Sequence, residues 1–221
     1  MSVSDAVLSR RSVRAFRPDP VPLEIIQRAL DKARWSASGC NFQPWEATVI
    51  TGEPLKALQA KIADQPPQDP AEYIITPPDL PQRYAERLSA LGAKMYGSMD
   101  IGRADTDARA EVARQNAFSF GAPALLLVHI PRSLGPAQWF DVGQWFDAVM
   151  LLLREEGVDT CAQQFMAMWA RIIKDHIGIP DDEQMLFCGL AIGYADRDAP
   201  VNAFERERVP LSEQVRFIGF D

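Results

Sequence analysis

The sequence has little of the material from which covalent frameworks and metal centres are built. Its three cysteines, Cys40, Cys161 and Cys188, are an odd number, lie far apart and form no CxxC pair. That argues against a disulfide framework or a structural zinc site and suits free thiols in a reducing compartment. Only two histidines occur, His129 inside an apolar stretch and His176 in a helical one. With no HExxH and no paired carboxylate pattern they read as structural residues, and no metal ligands are assigned. No apolar run approaches the length of a membrane span, and the opening MSVSDAVLSRR lacks the apolar centre of a signal peptide, so a cytoplasmic location is expected. Glycine-rich phosphate cradles are missing too: there is no GxGxxG after a strand, no P-loop and no GxSxG elbow. An enzyme without these parts would leave its difficult chemistry to a cofactor.

What is present suits one folded domain. The chain has 221 residues, 47% of them hydrophobic and 24% charged, enough to bury a substantial core. Its net charge of −7 argues against general affinity for nucleic acid or an anionic membrane.

Ser2 is placed to cap a short first helix. Ala15 to Pro20 reads as extended because Pro18 and Pro20 disfavour helix, and Pro22 can open a second helix on which Leu23, Ile26, Leu30 and Ala33 share a face. Ser36 to Pro44 is a polar loop, Trp45 to Thr51 a strand, and a third helix follows Pro54. Residues 64 to 81 carry six prolines and form a long irregular connection. Helices are expected over roughly 82–99, 105–117 and 167–177, with strands at Ala124–Ile130, Val158–Gln163 and Met185–Tyr194. Gln138–Glu156 is helical but apolar on more than one face, which implies burial on several sides. The apolar tail Gln214–Phe220 has no partner nearby in sequence. The sum is a mixed α+β domain with four or five strands.

The positive charge is unevenly placed. Arg10, Arg11, Arg14 and Arg17 fall within eight residues that contain no acid, Ser12 stands among them, and Arg206 and Arg208 form a second island near the other end. Arginine offers bidentate recognition of phosphate, and two such islands could converge on one dianion. The residues alone leave open whether these are solvated surface arginines or an arginine-rich arm for nucleic acid. The apolar neighbours Val13, Ala15 and Phe16 fit a folded segment better than an arm.

Here five motifs resemble one family. Ser9-Arg10-Arg11-Ser12-Val13-Arg14-Ala15-Phe16 resembles the RRSxRxF opening of the nitroreductase family of FMN proteins, and Ser38-Gly39-Cys40-Asn41-Phe42-Gln43-Pro44-Trp45 its SGxNxQPW loop. Gly157 to Cys161 is similar to its GLDTC strand and Gly189 to Tyr194 to its GxAxGY strand. Asn202…Arg206-Glu207-Arg208-Val209-Pro210-Leu211 is similar to its N…RxxRxPL ending. The matches keep the family's order from end to end, and the CGLAIGYADRDAPVN stretch resembles the nitrobenzoate-reductase-like branch.

The resemblance implies a three-layer α/β/α domain with a central mixed sheet. It also implies a homodimer with a swapped C-terminal segment, which would account for the tail as a strand at Val215–Phe220 and for the apolar helix at Gln138–Glu156. FMN would be the cofactor and NADH or NADPH the electron donor. Hydride would pass through flavin N5 to an electron-poor acceptor such as a nitroaromatic, in a ping-pong cycle with no catalytic side chain. Arg10, Ser12 and Arg14 would hold the phosphate and ribityl chain, with Arg11 in the adjacent motif position and Arg206 and Arg208 completing the site. Ser38, Gly39, Asn41 and Pro44 would line the flavin ring from the partner subunit, Gln43 and Trp45 either bracing that loop or touching ligand. The loop holding Gln163 and Gln164 would bring a backbone N–H near N5, though Phe165 stands where many members have glycine. Cys161 is read as buried beside that loop rather than redox-active. A variable insertion, about 64–105, would wall the pocket, its Arg83, Arg87 and Arg103 being surface residues or recognising a substrate carboxylate. An enone, quinone or halogenated aromatic as acceptor stays open at this point, as does a non-catalytic FMN-binding protein.

Overall fold

A computed structural model describes residues 1–220. Ser2 closes a capping box on helix α1 (Val3–Ser9): its hydroxyl accepts from the Asp5 N–H at 3.1 Å while the Asp5 carboxylate accepts from the Ser2 N–H at 3.0 Å. Helix α2 (Leu23–Ala33) begins one residue after Pro22 and buries Ile26, Ala29 and Ala33, one face of a 3.6-residue repeat. The strands are β1 (Glu46–Thr51), β2 (Ala124–Pro131), β3 (Asp159–Gln163) and β4 (Gln184–Gly193), and they form a sheet in the order β1-β2-β4-β3.

Every ladder in this sheet is antiparallel. The mixed character expected of it is confined to one parallel bridge, Ser12 to Thr160, where the segment after α1 runs beside β3. Helix layers cover both faces, which is why β2 is apolar at successive positions instead of alternating. Leu126, Val128 and Ile130 face α2 and the long helix α6 (Pro136–Glu155); Leu125 and Leu127 face α3 (Gly52–Ala63) and α7 (Ala170–His176). Trp45 and Trp145 stack at 6.0 Å in the first layer. The architecture is therefore the three-layer α/β/α arrangement.

Two elements depart from a simple sandwich. The proline-rich stretch 64–81 is irregular but pinned to the body. Gln68 and Glu72 N–H groups donate to the Met168 and Ala167 carbonyls, Trp169 Nε1 donates to Gln65 O, and the Tyr73 hydroxyl donates to Phe187 O. Beyond it, α4 (Gln82–Gly97) buries no residue and leaves Tyr84, Leu88 and Leu91, spaced four and three apart, in solvent. Helix α5 (Thr106–Arg114) also buries none.

The tail differs from expectation. Leu211–Glu213 is a short 3-10 turn and no strand follows it; Phe217, Ile218 and Phe220 are 63%, 74% and 82% exposed. A strand needs a neighbouring edge for its N–H and C=O groups, and the tail makes no sheet pairing within this chain.

Candidate active site

The first basic island lies on the stretch that crosses from α1 to the sheet. Val13 is fully buried, its N–H donating to Thr160 O at 3.0 Å, so Ser12 and Arg14 on either side are turned outward. Gly193 makes the crossing possible: a Cβ there would lie 2.7 Å from Pro123 Cδ and 2.9 Å from Phe16 Cδ1. The second island is brought to the first by Asn202, a buried clip that accepts from the Arg14 N–H at 2.8 Å and donates to the Ala15 and Asp196 carbonyls at 2.8 Å each. Arg206 then reaches back and donates to Leu8 O at 2.6 Å and to Arg10 O.

A cavity of about 130 Å³ results, lined by Arg11, Ser12, Arg14, Arg206 and Arg208, with Leu91, Phe204 and Glu207. Arg10 stands beside it. None of the guanidinium groups of Arg10, Arg11, Arg14, Arg206 and Arg208 pairs with a carboxylate among the described residues. Desolvation, and then the charges of Arg10, Arg11 and Arg208, hold Arg206 below the usual guanidinium range. Like charges gathered in one place, with the single acid Glu207 engaged by Lys94, suit a strongly anionic group.

The loop Ser38–Pro44 lies elsewhere. Asn41 and the non-glycine neighbours Cys40 and Gln43 adopt φ of 59°, 51° and 49°, a left-handed run that costs energy at each residue. Two anchors hold it: the Asp141 carboxylate, buried on α6, accepts from the Gly39 N–H at 3.2 Å, and Ser38 Oγ accepts from the Gln43 N–H at 3.0 Å. Pro44 is buried; Gly39 and Asn41 are exposed.

Registers fix the distance between loop and arginines. The loop feeds the Glu46 end of β1, one edge of the sheet, whereas Ser12 bridges β3 at Thr160 on the other edge. Thr160 is level with Ile192, Ala124 and Thr51, so the two also lie at opposite ends of the strands. Three strand spacings and five residue rises separate the corners by about 20 Å. Within one chain the arginines converge and the loop does not join them.

Gln163 and Gln164 end β3 close to the arginine edge. The Gln163 side chain turns into the core and its Nε2 donates to Asn116 O at 2.9 Å, so only its backbone faces outward, while Gln164 is exposed. Phe165 packs on Trp169, 5.0 Å between ring centroids. Cys161 is 2% exposed, and burial pushes its thiol up to about 11, which fits an inert residue. His129 is buried beside Gln184 and held below the usual imidazole range by that burial; His176 meets Pro54 O at 2.8 Å.

A larger cavity, about 710 Å³, opens next to Arg14 between α4 and α5, walled by Leu88, Leu91, Met95 and Tyr96 and by Arg103, Arg109 and Asn116. Of the insertion's three arginines singled out in the sequence, Arg83 stacks on Tyr84 and Arg87 pairs with Glu213 at 3.5 Å. Only Arg103 faces this cavity. Nothing in the local sequence pattern of Arg109 and Asn116 separates them from an ordinary helix surface. Asp141 and Asn202 did carry a signal: an acid in an apolar helix, and an amide within a quoted motif.

Comparison with known proteins gives the family. Residues 7–194 match the model of the nitroreductase family. The chain is 38% identical to a 4-nitrobenzoate reductase of Pseudomonas putida, with 98% of this chain and 96% of that protein covered. It is 31% identical, with the same coverage, to a nitrobenzene nitroreductase of Ectopseudomonas oleovorans. Among solved structures, an FMN and NADPH-dependent nitroreductase from Sphigopyxis sp. strain HMH superposes with a TM-score of 0.94 at 41% identity over 100% of both chains. The FMN-dependent nitroreductase of Mycobacterium smegmatis in complex with NADPH does so at 0.91 and 26% over 97% of both. With the model matched over most of its length and such relatives spanning almost all of it, the chain belongs to the nitroreductase family.

Proposed function

We propose that this protein is an FMN-dependent NAD(P)H oxidoreductase that reduces nitroaromatic acceptors and works as a homodimer. The observation that carries the reading is the set of five arginines, without carboxylate partners among the described residues, drawn from both ends of the chain around one small cavity beside β3. A terminal phosphate fits it, because two negative charges would replace mutual repulsion with charge-assisted hydrogen bonds.

Arg10, Arg11, Ser12, Arg14, Arg206 and Arg208 would hold the FMN phosphate and the chain attached to it. The backbone at Gln163 and Gln164 would border the ring. Bound FMN supplies the redox chemistry, holding two electrons between nicotinamide and acceptor. The chain's own part is orientation. Asn202 fixes the phosphate segment, the Gln163 amide fixes the end of β3 on Asn116, and Asp141 holds the Ser38–Pro44 loop in its left-handed turn. No side chain is assigned as acid or base, and solvent would supply the protons.

The opposite corners support the dimer. Ser38, Gly39, Asn41 and Pro44 reach a ring beside Arg14 only if a second copy presents them, and the exposed apolar faces of α4 and the tail supply surface for such a contact. The insertion, about 64–105, would then wall the acceptor pocket. Three relatives are nitroarene reductases by name, which favours a nitroaromatic over an enone, quinone or halogenated acceptor.

The test is a visible absorbance spectrum of the purified protein, recorded without oxygen before and after adding NADPH or NADH. A flavin spectrum that bleaches, then recovers when a nitroaromatic is added, supports the reading. Absence of flavin after FMN is supplied overturns it, and flavin that never bleaches makes this a binding protein.

A further inference from the structure

We infer that the cavity between α4 and α5 is a recognition site for a carboxylate on the acceptor, with Arg109 as its anchor and Arg103 as an auxiliary charge. The inference rests on the nitroreductase reading and assigns residues to its substrate selectivity.

The cavity wall holds three arginines and no acid, in a protein of net charge −7. Arg14 belongs to the phosphate segment, which leaves Arg103 and Arg109. Neither pairs with a carboxylate or donates a side-chain hydrogen bond among the described residues, whereas Arg83, Arg87 and Arg114 on the same two helices all have partners. Arg109 is also oriented: its guanidinium lies 3.8 Å from the centroid of the Tyr96 ring. Stacking restricts the side chain while leaving the edge of the fork free, so less freedom is lost when a carboxylate docks against it. Arg109 is half-buried and Arg103 is exposed, so Arg109 holds the stronger position, because solvent screens a fully exposed pair.

The site's position suits a substituted ring. Asn116, which ties to Gln163 at the end of β3, lies seven residues from Arg109, about 10 Å along a helical axis. An aromatic acceptor lying on Leu88, Leu91 and Met95 would have its carboxylate at Arg109 and its far substituent towards β3. Arg103 and Arg109 make this a filter for anionic nitroarenes rather than a general apolar pocket.

Arg109→Gln and Arg109→Lys proteins, each loaded with FMN, would be compared with the parent by KM and kcat for 4-nitrobenzoate and for nitrobenzene. Unreactive benzoate would be titrated against benzamide by calorimetry as a readout independent of turnover. For Arg109→Gln we expect KM for 4-nitrobenzoate and Kd for benzoate to rise at least about tenfold. The nitrobenzene constants and KM for NADPH and NADH should stay within about twofold, and Arg109→Lys should recover part of the loss because it keeps the charge but not the fork. Equal losses on both nitroarenes would overturn the assignment. So would a loss confined to NADPH, which would give the arginine to the nicotinamide cofactor's phosphate. A parent protein that reduces neither nitroarene fails the underlying reading instead, and its benzoate titration still tests the arginine.

Discussion

Replacing Arg206 with methionine separates the two roles that one side chain plays. Without a bound anion Arg206 stands among like charges, and its positive contribution is two hydrogen bonds to the Leu8 and Arg10 carbonyls at a half-buried position where water can replace it. Arg206→Met should therefore change the stability of the flavin-free protein by less than about 1 kcal/mol, lost bonds offsetting relieved repulsion. With a phosphate in the cavity the same change removes a charge-assisted bond, about 1.5–3 kcal/mol, or roughly a 10- to 150-fold rise in Kd for FMN. The assay is quenching of flavin fluorescence on titration with protein, for FMN and for riboflavin, which lacks the phosphate. The loss should appear with FMN alone, and parent affinity for FMN should fall with added salt while that for riboflavin holds. Equal loss for both flavins, or none, would refute the claim that these arginines form a phosphate site.

Three further outcomes follow. Lys174 is 1% exposed and meets Glu72 Oε1 at 2.9 Å and Asp181 Oδ1 at 2.6 Å. Lys174→Met leaves the buried Glu72 with Arg132 and the Leu186 N–H as its partners and should cost about 3 kcal/mol in denaturant unfolding, with Glu72→Gln added to it restoring part; a loss below about 1 kcal/mol would contradict the network. Native alkylation at pH 8 followed by mass spectrometry should modify only Cys40, because burial pushes Cys161 to about 11 and Cys188 to about 12 from 9.0. The fold thus retains protons that the unfolded chain releases, and stability should decline as pH rises above about 9. Finally, Arg206→Met and Asn41→Ala each damage a different half of a shared site, so mixing the two under subunit exchange, at an FMN concentration too low to load either alone, should restore about one quarter of the sites; no recovery, despite exchange shown by native mass spectrometry, would place both halves on one chain.

Much of the architecture was legible because short-range physics dictates it. Ser2 and Asp5 announce a capping box, the prolines of 64–81 forbid regular structure, and the apolar blocks at 124–130 and 185–194 can only be buried strands. Strand order and direction depend on contacts between residues far apart in sequence, and no local pattern encodes them. The tail misled for the same reason: its apolar residues are compatible with a strand, but pairing is a property of a neighbour, not of the segment. At the site, the arginine islands could be read from charge spacing, yet their convergence depends on Asn202 spanning from Arg14 to Asp196. Arg109 was invisible, since its distinction is a stacked partner thirteen residues away.

The pinned proline-rich stretch has a consequence for how such a protein diversifies. Residues 65–73 are tied to Ala167, Met168 and Trp169 in the 3-10 turn Gln164–Trp169 and to Phe187 on β4, and Asn116 is tied to Gln163, so both ends of the α4–α5 excursion are moored to the body. Between those moorings neither helix contributes a buried residue to the core. Substitutions along the excursion are therefore nearly free of folding penalty, and Leu91 is its one residue that borders the arginine cavity. On the proposed function, acceptor preference could then drift, or be engineered, by exchange of this one segment with little cost to the fold that would hold the flavin.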